Sequence, residues 1–211
     1  MEFLNQMAAL FQKGGPVMYL LVLCSIGVLA IAIERFVYYR RVDNDPETFM
    51  AAVKQKIETA DWNGAVRECE VNNGALGAVL VKGLQRRNRE RHSIETTLDG
   101  AATYQVAKLR EQLNYLDTMV TLSPLLGLLG TVIGMIQSFS IMNVKAGQPM
   151  AITGGVGEAL VATATGLCVA VMALVVHSYF NHRLDKIITN IEQACAYLLD
   201  ELDRGDSHET A

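Results

Sequence analysis

Glu158 is the one carboxylate set in the depth of a long apolar run of this 211-residue chain, and its polar company is hydroxyl: Thr163 and Thr165 in the same run, Thr131 in the run before it. Polar groups at membrane depth usually face a bundle interior or a water path. Such residues admit either tight helix packing or a polar path through the bundle, and among the tasks of such a path is the movement of a proton. That task needs a titratable group and a run of donors and acceptors leading to it. The chain offers one acid and three hydroxyls, and no aspartate lies deep in any apolar run. Other chemistry finds no support. His92, His177, His182 and His208 form no metal-ligand pattern with cysteine or acid neighbours. Gly154, Gly155 and Gly157 resemble a phosphate loop only superficially, since no Walker lysine follows and no strand precedes them. The chain reads as no enzyme, with neither cofactor nor metal, and the energy for any work must come from elsewhere.

The elements that must position these residues are two apolar runs, residues 116–139 and 154–179, each long enough to cross a bilayer as a helix. A short polar break, NVKAGQPM, lies between them. Both are crowded with small residues. In the first, Ser123, Gly127, Thr131, Gly134 and Ser138 recur at helical spacing and are expected on one face. In the second, Ala159, Thr163, Gly166, Ala170, Ala173 and His177 form another face, with Glu158, Ala162 and Thr165 beside it. Small residues let helix backbones approach closely, which is the ordinary reading of the glycines and alanines. The threonines and Glu158 admit both packing and function. With the third span read from residue 154, Glu158 falls near its N-terminal end, where a helix dipole favours a carboxylate.

The stretches SPLLGLLGTVIGMIQSF and GEALVATATGLCVAVMA resemble the two signature helices of the ExbB/TolQ/MotA proton-channel family, and are most similar to its ExbB and TolQ branch. LGLLGTVxGM followed by EALVATAxGL is a specific pattern, and the resemblance is strong over about residues 105–180. Met172 stands where many relatives carry a proline, so no kink is expected there. The resemblance implies an all-α membrane protein with three transmembrane helices, long helices reaching into the cytoplasm, and a homopentamer around two partner helices. The partner is a single-span protein of the ExbD or TolR kind that carries a membrane aspartate. Thr131 matches the threonine of the family's GTV motif and Thr163 that of ALVAT, which line the partner pocket; Glu158 matches the glutamate of EALVAT. With Thr165, these are the expected proton-path residues. The function implied is that of a stator in a proton-driven inner-membrane motor, doing work on a TonB-like or TolA-like envelope protein in nutrient import. The alternatives are a TolQ-type role in envelope maintenance and cell division, and a passive membrane scaffold. Short loops and three spans disfavour a flagellar MotA stator.

The rest of the chain fits a membrane protein with a soluble part: 51% of residues are hydrophobic and 19% charged, with mean hydropathy +0.22. A net charge of −4 argues against nucleic-acid binding. Cys24, Cys69, Cys168 and Cys195 have no metal-ligand spacing and read as reduced, structural thiols. Residues 1–13 lack the basic start of a signal peptide and read as an amphipathic surface helix. Gly14, Gly15 and Pro16 end it, and a first span of residues 16–39 follows. Glu34 and Arg35 near its end read as an interfacial, snorkelling pair, and Tyr38 and Tyr39 as part of an aromatic belt. Most Lys and Arg lie between Arg40 and Arg110, whereas residues 140–153 hold only Lys145, so the positive-inside rule places residues 40–114 and 180–211 in the cytoplasm. The N-terminus and the 140–153 loop then face the periplasm. Four cytoplasmic helices are expected. Pro46 starts the first, with Asp45 as cap and Phe49, Val53 and Ile57 inward. Asp61 caps the second, and Ser93 and Thr96 lie near the start of the fourth, which can run straight into the span beginning at residue 115. Arg86, Arg87, Arg89 and Arg91 read as a solvated turn. Beyond the third span a stripe of Leu184, Ile187, Ile188, Ile191, Ala194, Cys195 and Leu198 is expected to pack on the fourth helix, and the tail from Gly205 to lack order.

Overall fold

The computed structural model describes residues 15–42, 46–72, 74–144 and 149–209, and every element among them is an α-helix. The surface helix expected over residues 1–13 and the cap expected at Asp45 lie outside the described residues. Seven helices follow in order: α1 Val17–Val42, α2 Pro46–Glu58, α3 Trp62–Val71, α4 Ala75–Gln85, α5 Arg91–Arg110, α6 Leu113–Val144 and α7 Pro149–Glu209. Helices α1, α6 and α7 are long and apolar enough to cross a membrane, with stretches of mean hydropathy 2.4, 2.0 and 2.4. The chain divides into two compact units, Met1–Ile33 with Leu113–Tyr179 and Glu34–Gln112 with Phe180–Ala211.

In the first unit the apolar parts of α1, α6 and α7 pack together. Val17, Met18 and Leu21 of α1 are buried, with Leu126 and Ile133 of α6 and Val161 of α7 against them. Pro124 lies inside α6 and withdraws one backbone donor, a loss that membrane helices tolerate when neighbouring groups satisfy the freed carbonyl. Helix α6 continues to Val144 and α7 begins at Pro149, so helix extends well into the stretch read as a loop over 140–153. Pro149 suits a first helical turn, where its missing N–H has no intrahelical partner to lose. Helix α7 passes through Met172 unbroken.

The second unit follows the expected four helices closely. Phe49, Val53 and Ile57 are the buried face of α2. Asp61 caps α3, its side chain accepting the Gly64 N–H at 2.9 Å; this bond, helped by Lys56, holds the carboxyl below its usual range. Helix α5 starts at Arg91, and the Glu90 carbonyl accepts the N–H groups of Ser93 at 2.9 Å and Ile94 at 3.2 Å. Ser93 is therefore inside the first turn and caps nothing. The stripe on α7 is inward: Leu184, Ile187, Ile191, Ala194 and Leu198 are buried, Ile188 and Cys195 half-buried. Its partners include more than α5. A Cβ on Gly83 of α4 would stand 2.7 Å from Leu98 of α5 and 2.9 Å from Leu198, so these three helices meet there. Arg91 pairs with Asp203, and Lys54 of α2 lies 4.6 Å from the Tyr197 ring centre. Helix α7 runs on to Glu209, through most of the tail expected to lack order.

Of two expectations near the membrane boundary, one is corrected. The fourth cytoplasmic helix continues into the second span with only a two-residue turn, Glu111 and Gln112, between α5 and α6; Glu111 keeps helical dihedrals and its N–H donates to the Ala107 carbonyl at 3.1 Å. Arg35 does not snorkel, being only 5% exposed. Its Nη1 donates to the Leu109 carbonyl at 3.2 Å, and the Tyr39 hydroxyl donates to the same oxygen at 3.2 Å. That carbonyl lies in the last turn of α5, where carbonyls lack intrahelical donors and the dipole favours a cation. Glu34 at 3.0 Å and the Tyr38 ring at 4.9 Å complete the surroundings of the guanidinium.

All four cysteines are free, with Cys24 and Cys69 buried. Burial, with Glu68 and Glu70 nearby, pushes the Cys69 thiol up to about 12. At pH 8 the native protein is expected to leave Cys69 unmodified by maleimide while denatured protein reacts fully, as peptide mass spectrometry would show; rapid native labelling at Cys69 would contradict this packing.

Candidate functional site

The two small faces do meet, in the first unit. A Cβ on Gly127 would stand 3.1 Å from Thr163 Cα and 3.2 Å from the Ala162 carbonyl oxygen. One on Gly166 would stand 2.7 Å from the Ser123 carbonyl oxygen and 3.0 Å from Gly127 Cα. Farther along, a Cβ on Gly134 would stand 3.0 Å from the Gly155 carbonyl oxygen and 3.1 Å from the Ala159 methyl, and Ser138 sits over Gly155. Helices α6 and α7 are thus in backbone contact over several turns, which only glycine and alanine permit. Ser123, Gly127, Gly134, Ser138, Ala159, Gly166, Ala170 and Ala173 are all buried. The Ser123 and Ser138 hydroxyls donate to the carbonyls of Met119 and Gly134, one turn back, at 2.7 and 2.9 Å.

The faces are centred differently from the expectation. Thr131 is half-buried, and Gly130 takes the inward position beside it; a Cβ there would stand 2.5 Å from the Ala162 methyl. Ala162, expected beside the second face, is at its centre with 1% exposure, while Thr163 and His177 are half-buried. Gly130 and Gly155 are packing residues that sequence reasoning left out, and Ala162 is one it placed off-centre. The signal for Gly130 was present: it lies three residues after Gly127 and four before Gly134.

The structure does not bring the four polar residues into mutual contact. Thr163 Oγ1 donates across the interface to the Gly127 carbonyl at 3.1 Å. Thr131 Oγ1 donates to Leu128 O at 2.6 Å and Thr165 Oγ1 to Val161 O at 2.8 Å, each in its own helix. Each hydroxyl therefore spends its proton on the backbone and keeps its oxygen to accept. Glu158 is half-buried. It lies nine residues into α7, too far for that helix's own dipole to matter, since the effect fades within the first turn; the expectation of a favourable N-terminal position is corrected. Its carboxylate instead lies against Gly15, at the start of α1. Thr165 shares the Glu158 stripe seven residues on, about 10 Å along the helix axis.

Residues 71–193, which include α4 to α6 and the small-residue contact, match the MotA/TolQ/ExbB proton channel family. The chain belongs to that family. Among its relatives, an ExbB-like biopolymer transport protein of Synechocystis is 34% identical over 175 residues, 79% of this chain and 67% of the relative. An ExbB homolog of Methanothermobacter thermautotrophicus is 28% identical over 192 residues, 90% of this chain and 68% of the relative. The Tol-Pal system protein TolQ of Pseudomonas aeruginosa is 35% identical over 89 residues, 42% of this chain and 38% of its own length. The family is one of proton channels and no enzyme family is involved. This member is a multi-pass membrane subunit of the ExbB/TolQ kind.

Proposed function

We propose that this chain is the stator subunit of a proton-driven inner-membrane motor of ExbB type, active in nutrient import. The observation that carries the reading is the α6–α7 contact itself. Two membrane-length helices are zipped along glycine and alanine, while Thr131, Thr163, Thr165 and Glu158 stand half-buried along its edges. Half-buried polar groups at membrane depth call for a further polar surface to face. A single-span partner of ExbD or TolR kind would supply it, together with the aspartate this chain lacks. Five copies around two partner helices form a closed ring with the threonines toward the partner, and proton passage turns the partner, which works on a TonB-like protein. The ExbB reading is favoured over TolQ because likeness to ExbB relatives spans 79–90% of the chain and likeness to the TolQ relative 42%. Native mass spectrometry of the chain co-expressed with its partner is expected to give five copies plus two; a stable complex of any other stoichiometry would overturn the ring. A TonB-like rather than a TolA-like reading frame beside the gene is expected on the same account.

In this reading residues 40–114 and 180–211 are cytoplasmic and the N-terminus is periplasmic, as the Lys and Arg distribution supports. A cysteine introduced at Gly147, which lies outside the described residues, is expected to react with an impermeant maleimide in spheroplasts, and one at Asn88 is not. The reverse pattern would overturn the topology.

A further inference from the structure

Gly15 lies two residues before the start of α1 in the first unit, with φ +69°. The first turn of α1 closes on it: Met18 N–H donates to the Gly15 carbonyl at 3.2 Å and Tyr19 N–H to that of Pro16 at 3.3 Å. The bare Cα of Gly15 faces α7. A Cβ there would overlap Oε1 of Glu158 and stand 3.1 Å from its carboxyl carbon and 3.6 Å from Cγ. The acid's head therefore occupies the volume that any other residue at position 15 would fill. This is also the start of a helix, where unpaired N–H groups and the positive end of the dipole favour a carboxylate.

We infer that Gly15 is a positioning residue for Glu158: the missing side chain ahead of α1 is the seat that fixes where the carboxylate stands. The inference rests on the proposed proton path and deepens it, because it makes the start of α1 part of the apparatus that sets the acid's position. Two demands fall on Gly15, and they are separable. A positive φ is strained for alanine and tolerated by asparagine, whereas a side chain of either would push the Glu158 carboxylate out of its place.

The test uses the full chain assembled with its partner in vesicles, with a pH-sensitive dye reporting flux and native mass spectrometry confirming assembly. Gly15→Asn, which relieves the backbone demand and blocks the seat, is expected to lower flux about tenfold or more, since small misplacements of a reacting group carry large losses. Glu158→Asp, one methylene shorter, is expected to restore part of the flux in the Gly15→Asn background while lowering it in the Gly15 background. Wild-type flux in Gly15→Asn, or a loss that Glu158→Asp only deepens, would overturn the inference. Glu158→Gln separates this failure from that of the path itself. If Glu158→Gln conducts normally the proton path is wrong, and if it does not while Gly15→Asn conducts normally only the seat is wrong. Should Gly15→Asn fail to assemble, the isolated subunit decides: an apolar carbodiimide is expected to modify Glu158 faster in Gly15→Asn than in the parent, and an unchanged rate would overturn the seat.

Discussion

Replacing Thr131 and Thr163 together by valine is expected to leave the subunit assembled with its partner and to reduce proton flux to background. Valine keeps the shape of threonine and removes the hydroxyl. The stability at stake is small. Thr131 and Thr165 bond only to their own helix, and the one bond across helices, Thr163 to Gly127 O at 3.1 Å, is of a kind that averages about 0.6 kcal/mol in a membrane. The backbone contacts of Gly127, Gly134 and Gly166 hold α6 on α7 without it. A path for protons is less forgiving, because every acceptor in it counts, and the threonine oxygens are what this chain offers beside Glu158. Native mass spectrometry would report assembly and a pH dye the flux. Wild-type flux from a fully assembled double variant would show both threonines to be packing residues.

Gly166→Ala is expected to be strongly damaging for a single methyl. Its Cβ would stand 2.7 Å from a carbonyl oxygen and 3.0 Å from a Cα of α6, and neither atom can swing aside as a side chain can. Overpacking of this kind costs about 1–3 kcal/mol. It must also lengthen the Thr163 bond, so flux falls along with stability. Gly157→Ala is the control: it lies on the same helix, has nothing within 4 Å of its Cβ position, and gains the better helix propensity of alanine. Melting in detergent should drop for Gly166→Ala and hold or rise for Gly157→Ala. Equal melting of the two would mean that α6 and α7 are not in backbone contact at this point.

The helices and their inward faces were legible because both rest on period. Phe49, Val53 and Ile57, the α7 stripe from Leu184 to Leu198, and the serines and glycines of α6 all recur at helical spacing, and burial follows it. The centring of the faces was less legible. Helical period places Gly130 and Thr131 about equally far to either side of the line through Gly127 and Gly134, and only the neighbours across the contact, Ala162 and Val17, make Gly130 the inward one. What depends on chain segments far apart could not be read at all. Arg35 looks like a snorkelling residue from its neighbours, and only the Leu109 carbonyl, 74 residues away in sequence, makes a buried site for it. The same holds for Gly15, which reads as a helix breaker until Glu158 is seen against it.

The most direct measurement is proton flux from vesicles that hold this chain with its single-span partner, under an imposed pH gradient and membrane potential. The account predicts flux from the complex, none from this chain alone, and loss on Glu158→Gln or on removal of the partner's membrane aspartate. An intact complex that carries no protons under any gradient would contradict it and leave a passive membrane scaffold in its place.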